Sequence, residues 1–372
     1  MNNLSDSNDF IGSNLKLARL LSGFTLAELA EKIGASRQYI HQLENSNRMP
    51  SNEQLASLAG HLSVNEGFFF VPPTGVLTDD AIHFRSNRTS KVSSRSQAKA
   101  HIALFARLLN ILSNYVVFPE PDFPDEPDFS NALDIEQIAE RARSHWHLGL
   151  GPIDNMTRTA ELAGAITTTF KGISLEVDAL SGVMKHPLIV RNDAKDSPGR
   201  LRFDIAHEVG HLIMHKGIVT GCKQTESEAN RFASAFLMPR SSFGKEFYIG
   251  SRLNWGMVAS LKERWGVSKA AILFRARQLD LLNEAQYKRA IIQLKKYESK
   301  KEKDDHLIPY EKSELIPDAI QNYVVSYGKT VDNLLNELNV TEPLLNQILD
   351  FEINDLRALE RNDNVRPLIR AV

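Results

Sequence analysis

The chain has 372 residues, 42% hydrophobic and 24% charged, with a formal net charge of −2. Its length suits two or three globular domains, its single cysteine excludes an internal disulfide and suits a reducing compartment, and its charge balance argues against binding nucleic acid over the whole surface. The start MNNLSDSNDF lacks a signal-peptide pattern and no apolar run reaches the roughly 18 residues of a membrane span, so the expectation is a cytoplasmic protein without membrane contact.

Residues 11–70 read as five short helices. Ile11–Ser22 is amphipathic, and Gly23-Phe24 breaks the pattern before Thr25, a cap for a helix running to Ile33. Gly34-Ala35 forms a tight turn, Ser36 caps Arg37–Glu44, and Met49-Pro50-Ser51 starts a further helix over Asn52–His61. A helix, a Gly-containing turn and a second helix is the helix-turn-helix arrangement, whose second helix enters the major groove by its N-terminal residues. The string TLAELAEKIGASRQYIHQLENSNRMPS resembles the XRE (lambda-repressor-like) DNA-binding domain. The resemblance implies base-reading positions at Arg37, Gln38 and Gln42, types suited to bidentate contacts with guanine and adenine. Thr25 and Ser36, at the starts of the two helices, join the DNA-binding candidates. Leu29, Ile33, Ile40 and Leu43 read as core.

Residues 1–70 hold five Lys/Arg against seven Asp/Glu, a weak balance for gripping phosphates. From Ala81 to Pro119 six basic residues (Arg85, Arg88, Lys91, Arg95, Lys99, Arg107) stand with no acidic one, so this segment is a candidate backbone-contacting arm, or a solvated linker into a helix over Ser96–Tyr115. The acidic, Pro-rich run that follows Pro119 predicts an extended connector.

Beyond it, the spacing predicts helices over Asp134–Trp146 and Pro152–Phe170, then strands over Gly172–Asp178 and His186–Asn192 separated by a turn at Ser181-Gly182. Leu188–Arg191 is a candidate sheet edge for an extended peptide. Next comes His207-Glu208-Val209-Gly210-His211, the H-E-x-x-H pattern, flanked by apolar residues in helical rhythm. On a helix, positions i and i+4 share a face, so both imidazoles reach one metal ion. Glu208 then stands beside that ion, where a carboxylate can take a proton from water. A third protein ligand is required, and Glu226 on the following helix is preferred over Glu228. Asn230, four residues past Glu226, can hydrogen-bond a ligating histidine. Glu228 points away, toward Arg231 or solvent. His215 continues the i+4 series too far along the helix to join a tetrahedral ion and reads as a helix-end histidine. Cys222 reads as a small hydrophobe.

The runs AHEVGHLIMH and ESEANRFASAFLMP resemble the ImmA/IrrE family of metallopeptidases, densely over Leu201–Pro239 and more loosely over 133–281. The resemblance implies a zinc ion (Zn2+) held by His207, His211 and Glu226, Glu208 as general base, and a DNA-binding regulator as a frequent target of cleavage. Asn230 stands where a gluzincin-like spacing has Asp.

After Pro239 the chain reads as helical over Trp255–Trp265, Ser268–Leu281 and Ala285–Tyr297, with Lys295–Asp305 as a solvated charge run and Leu315–Ile353 as a helical element broken at Gly328-Lys329 and capped by Thr330. The expected fold class is mainly α (α+β): a five-helix DNA-binding domain at 1–74, a basic helix and acidic connector at 75–129, a zincin-like metallopeptidase domain with a small sheet at 130–300, and a helical region at 301–372. The expected function is a DNA-binding transcriptional regulator whose zinc endopeptidase domain cleaves a partner repressor, an antitoxin or itself. Its partners would be a double-stranded operator, a protein substrate and a second copy of the chain as a homodimer. The alternatives are a non-proteolytic repressor that senses a ligand or metal, and an antitoxin-like binding protein.

Overall fold

A computed structural model describes residues 9–72, 82–86, 92–126, 128–171, 177–183, 185–192, 197–218, 220–248, 250, 252–298 and 301–357, the strands at 82–86 and 177–183 by backbone alone. Four α-helices open it: α1 (Gly12–Leu21), α2 (Leu26–Lys32), α3 (Arg37–Glu44) and α4 (Asn52–Leu62), followed by a 3-10 turn at Glu66–Phe70. Then come β1 (Ile82–Ser86), α5 (Val92–Leu112), α6 (Ala132–His145), α7 (Met156–Leu162), β2 (Ile166–Phe170), β3 (Val177–Val183) and β4 (Pro187–Asn192). Two long helices follow, α8 (Pro198–Met214) and α9 (Lys223–Leu237), then α10 (Arg240–Glu246), α11 (Trp255–Trp265), α12 (Lys269–Gln278) and α13 (Glu284–Tyr297). The tail holds α14 (Leu315–Val325), α15 (Val331–Leu338), α16 (Glu342–Leu345) and α17 (Ile353–Arg357).

The strands form one sheet in the order β1-β3-β4-β2, with β2 parallel to β4 and the other pairs antiparallel. This sheet divides two cores. Leu188 and Val190 of β4 face a core shared by α1–α5, the 3-10 turn and α14–α17, whereas Ile189 faces the helices α6–α13. Both faces are covered, which is why all five residues of β2 and Leu188–Arg191 of β4 are buried, polar side chains included. On β2 the three threonines are buried yet satisfied in part by the tail: Thr168 Oγ1 donates to Ile348 O at 2.8 Å, and Thr167 Oγ1 lies 2.8 Å from Ser313 Oγ.

Three expectations change here. The helix expected over Pro152–Phe170 ends at Leu162, because Gly164 takes a left-handed φ of +87° and the following Ile-Thr-Thr-Thr-Phe is a β-branched run that forms β2. The turn expected at Ser181-Gly182 falls inside β3. Leu188–Arg191 is an inner strand, hydrogen-bonded to β2 on one side and β3 on the other, so it has no free edge to offer a peptide. Part of the predicted strand over Gly172–Asp178 lies outside the described residues.

The charge run Lys295–Asp305 is solvated on its described lysines, but its acidic residues turn inward. Lys262 on α11 and Lys269 on α12 are buried, and Nζ of Lys262 contacts Glu302, Asp304 and Asp305 at 2.6–2.7 Å while Lys269 Nζ contacts Glu298 at 2.9 Å. Buried ammonium groups demand anionic partners, and the acidic half of the run supplies them.

The connector is extended but pinned to the second core. Asp122 N donates to Ala163 O at 2.9 Å, Glu126 N donates to Ile213 O at 3.0 Å, and Arg141 holds the Glu126 carboxylate with two hydrogen bonds at 2.8 and 2.9 Å. It therefore runs along the C-terminal turn of α8. The tail closes on the opening helices: Asn65 N donates to Asn339 O at 2.9 Å and Thr341 N to Ser63 O at 3.0 Å.

Candidate metal centre and nucleic-acid interface

Helix α8 starts at Pro198, the position where a proline costs no hydrogen bond, and packs Ile205, Val209 and Ile213 into the second core. Its opposite side meets α9. At Gly210 an added Cβ would stand 2.8 Å from Cδ1 and 3.2 Å from Cβ of Phe232, so only glycine lets the two helices approach this closely. Cys222 caps α9, its Sγ accepting from Thr225 N at 3.4 Å. Arg275 fixes the other end of α9: it donates to Met238 O at 2.8 Å while pairing with Glu136 of α6 at 2.6 and 2.7 Å, all buried.

This packing brings His207, His211 and Glu226 together, with one ligand atom of each within 4.8 Å of the others. The two Nε2 atoms stand 3.1 Å apart, and the Glu226 carboxylate reaches them at 3.3 and 3.4 Å. His207 is fully buried and Glu226 one-quarter exposed, so the cluster opens to solvent on the α9 side. His207 Nδ1 lies 3.0 Å from Asn230 Oδ1. An amide oxygen only accepts, so Nδ1 carries the proton and Nε2 is left as a lone pair aimed at the cluster. Burial raises the Glu226 carboxyl, but the two imidazoles outweigh it and hold the group far below the usual carboxylate range.

Glu208 is 2% exposed, and its Oε1 has no hydrogen-bond partner among the described residues. Glu228 is turned from the cluster: its Oε2 lies 2.9 Å from His215 Nε2, and His215 Nδ1 lies 2.9 Å from His211 Nδ1. Burial pushes the His215 imidazole down, against the opposite pull of Glu228. His215 also meets Phe129 of the connector edge-on, at 5.9 Å between ring centres. A cavity of about 250 Å³ borders this end of α8, lined by His211, His215, Lys216, Phe123, Asp125 and Pro187. The sequence alone did not pair His215 with Glu228; the one signal was that His215 extends the i+4 histidine series.

At the other end of the chain, Ser36 Oγ caps α3 by accepting from Tyr39 N at 3.1 Å, and Thr25 forms a reciprocal capping box with Glu28. The hydroxyls of Thr25 and Ser36 thus hold helix starts. Arg37 and Gln38 are exposed on the first turn of α3, and Gln42 is half-buried one turn on. Ile40 and Leu43 anchor the other face of α3. Its tilt is set by a buried bidentate pair, Arg19–Glu44 at 2.5 and 3.1 Å, and by Gly12, where a Cβ would strike the Leu43 carbonyl. Of the basic arm, Arg88 and Lys91 lie outside the described residues and Arg85 is described by backbone alone. Arg107 is buried, donating to Asn14 Oδ1 at 2.5 Å and stacked 4.6 Å over Phe68, so it supports α1 and cannot reach a phosphate.

Fold and side chains together define a class: a helix-turn-helix module joined to a mainly α domain that bears an H-E-x-x-H helix. Residues 15–69 match the family model of the helix-turn-helix, and residues 165–277 match that of the IrrE N-terminal-like domain, a peptidase family. The chain therefore fuses an XRE-type helix-turn-helix domain to an ImmA/IrrE-like domain. No curated protein matches it. Among the described residues no helix is long and apolar enough to cross a membrane.

Proposed function

We propose that the protein is a DNA-binding regulator with a zinc-dependent endopeptidase site, in which His207, His211 and Glu226 hold the ion and Glu208 is the general base. The observation that carries this reading is the convergence of two imidazole Nε2 atoms and a carboxylate, the imidazoles on a helix whose Glu208, one residue along from His207, has a buried oxygen with no hydrogen-bond partner among the described residues. Two nitrogens and one oxygen suit zinc, which takes three protein ligands at a catalytic site and keeps a further position open. A bound zinc ion supplies Lewis acidity, polarising the scissile carbonyl and making water easier to deprotonate.

The chain's own residues do the rest. Asn230 fixes the His207 tautomer through Nδ1. Glu208 accepts the proton of the attacking water and returns it to the leaving amine. On the other module, Arg37, Gln38 and Gln42 of α3 read base edges. A paired operator would be bound by a homodimer, since such half-sites are usually two-fold related. The protein substrate is a repressor or antitoxin-like regulator, or the chain itself.

Co-expression of the full chain with the products of neighbouring genes tests this. Wild type is expected to yield metal-dependent fragments. Glu208→Gln should keep metal and operator binding while cleavage falls about 10²- to 10⁴-fold. Undiminished cleavage by that variant would refute the role of Glu208.

A further inference from the structure

We infer that Glu228 and His215 form a positioning relay that fixes the orientation and tautomer of His211 as a metal ligand, an inference that rests on the metal-site reading above. The order of protons follows from what each atom can do. A carboxylate only accepts, so His215 Nε2, 2.9 Å from Glu228 Oε2, carries a proton. The neutral His215 ring then presents Nδ1 as an acceptor, and His211 Nδ1, 2.9 Å away, donates to it. That leaves His211 Nε2 with its lone pair directed at His207 Nε2 and Glu226. One carboxylate thus determines, two rings away, which nitrogen of His211 would be free to hold an ion.

Three further contacts hold the relay still. Gln224 Nε2 donates to the second Glu228 oxygen at 3.0 Å, the Phe129 ring packs on His215, and the His215 backbone N–H donates to His211 O at 3.0 Å as the last bond of α8. The relay also closes a symmetry in the site. His207 is oriented by a neutral amide on α9, His211 by a charged carboxylate on α9 acting through an inserted imidazole. Helix α9 thereby carries one candidate ligand, Glu226, and, within the next four residues, the two side chains that orient the others. His215 and Glu228 are positioning residues; His215 touches the cluster only through the outer nitrogen of His211, and Glu228 only through His215.

The test uses the full chain loaded with Co2+ and Zn2+. His215→Leu removes the acceptor for His211 Nδ1 while filling similar space, and is expected to weaken metal affinity about ten- to a hundredfold in chelator competition. It should also shift the visible absorption of the Co2+ form. His215→Asn, whose amide oxygen can stand where Nδ1 stands, should restore most of the affinity. A purely structural histidine would lower the thermal midpoint in both variants without changing the Co2+ spectrum. Affinity within twofold of wild type and an unchanged spectrum in His215→Leu would overturn the relay alone. A wild-type chain that binds neither ion would overturn the metal site and the relay with it.

Discussion

A buried carboxylate oxygen without a partner is costly, on the order of 1–3 kcal/mol or more when charged, and among the described residues Glu208 Oε1 has none. Such a cost is tolerated where the group has chemical work to do. Glu161 is the opposite case, a buried carboxyl held by structure. Its oxygens accept from Thr167 Oγ1 at 2.6 Å and from the backbone of Glu314 and Leu315 at 3.0 and 3.3 Å, where the tail meets β2. Burial, with Asp350 nearby, pushes its pKa up to about 7. A raised folded value means that the stabilisation is complete below the unfolded value near 4.5 and disappears as pH rises through 7. Between pH 5 and pH 8 the wild type should lose roughly 3 kcal/mol relative to Glu161→Gln, measured as the difference between their denaturant-unfolding curves. Parallel curves would show that Glu161 is already ionised in the folded chain. Site residues whose partners are local were legible in the sequence: the i, i+4 spacing of His207 and His211 is written into the helix. The partner of Glu228 was not, because His215 sits across a loop and periodicity sets only which face a residue takes.

At the scale of elements, the site depends on how closely α9 lies on α8. Gly210 sets that distance. Gly210→Ala is expected to cost about 1–3 kcal/mol by overpacking against Phe232 and to weaken metal binding, because α9 carries Glu226 away with it. Thermal unfolding and chelator titration check the two effects separately; a variant as stable and as tight-binding as wild type would show that the helices have slack. Helices α11 and α13 were visible in advance from their apolar spacing and α15 from the Thr330 cap, while the Asn254 and Asn283 caps emerge only in the structure. Strand β2 was not. Its five residues follow a true helix with only Ala163, Gly164 and Ala165 between them, and Ile-Thr-Thr-Thr-Phe, buried on both faces, has no apolar–polar alternation to mark it as a strand. The placement of β4 inside the sheet also escaped sequence reasoning, since a strand's neighbours are long-range contacts.

Over the whole molecule, the sheet is a partition with a different core on each side. The helix-turn-helix module, α5 and the tail share one core, and helices α6–α13 form the other. A segment read as a linker helix proves central, and a tail read as a small packing element completes the sheet's covering. Local patterns identify such helices but not their shared burial, as these contacts join residues about 300 positions apart. The proposed metal centre must therefore be assayed in the full chain, where both faces of its sheet stay covered. The decisive measurement is divalent-ion affinity of the purified full chain by chelator competition, wild type against Glu226→Gln. The account predicts one ion per wild-type chain and a loss of affinity on the order of a hundredfold or more in the variant. A Glu226→Gln chain that holds its ion as tightly as wild type would contradict it.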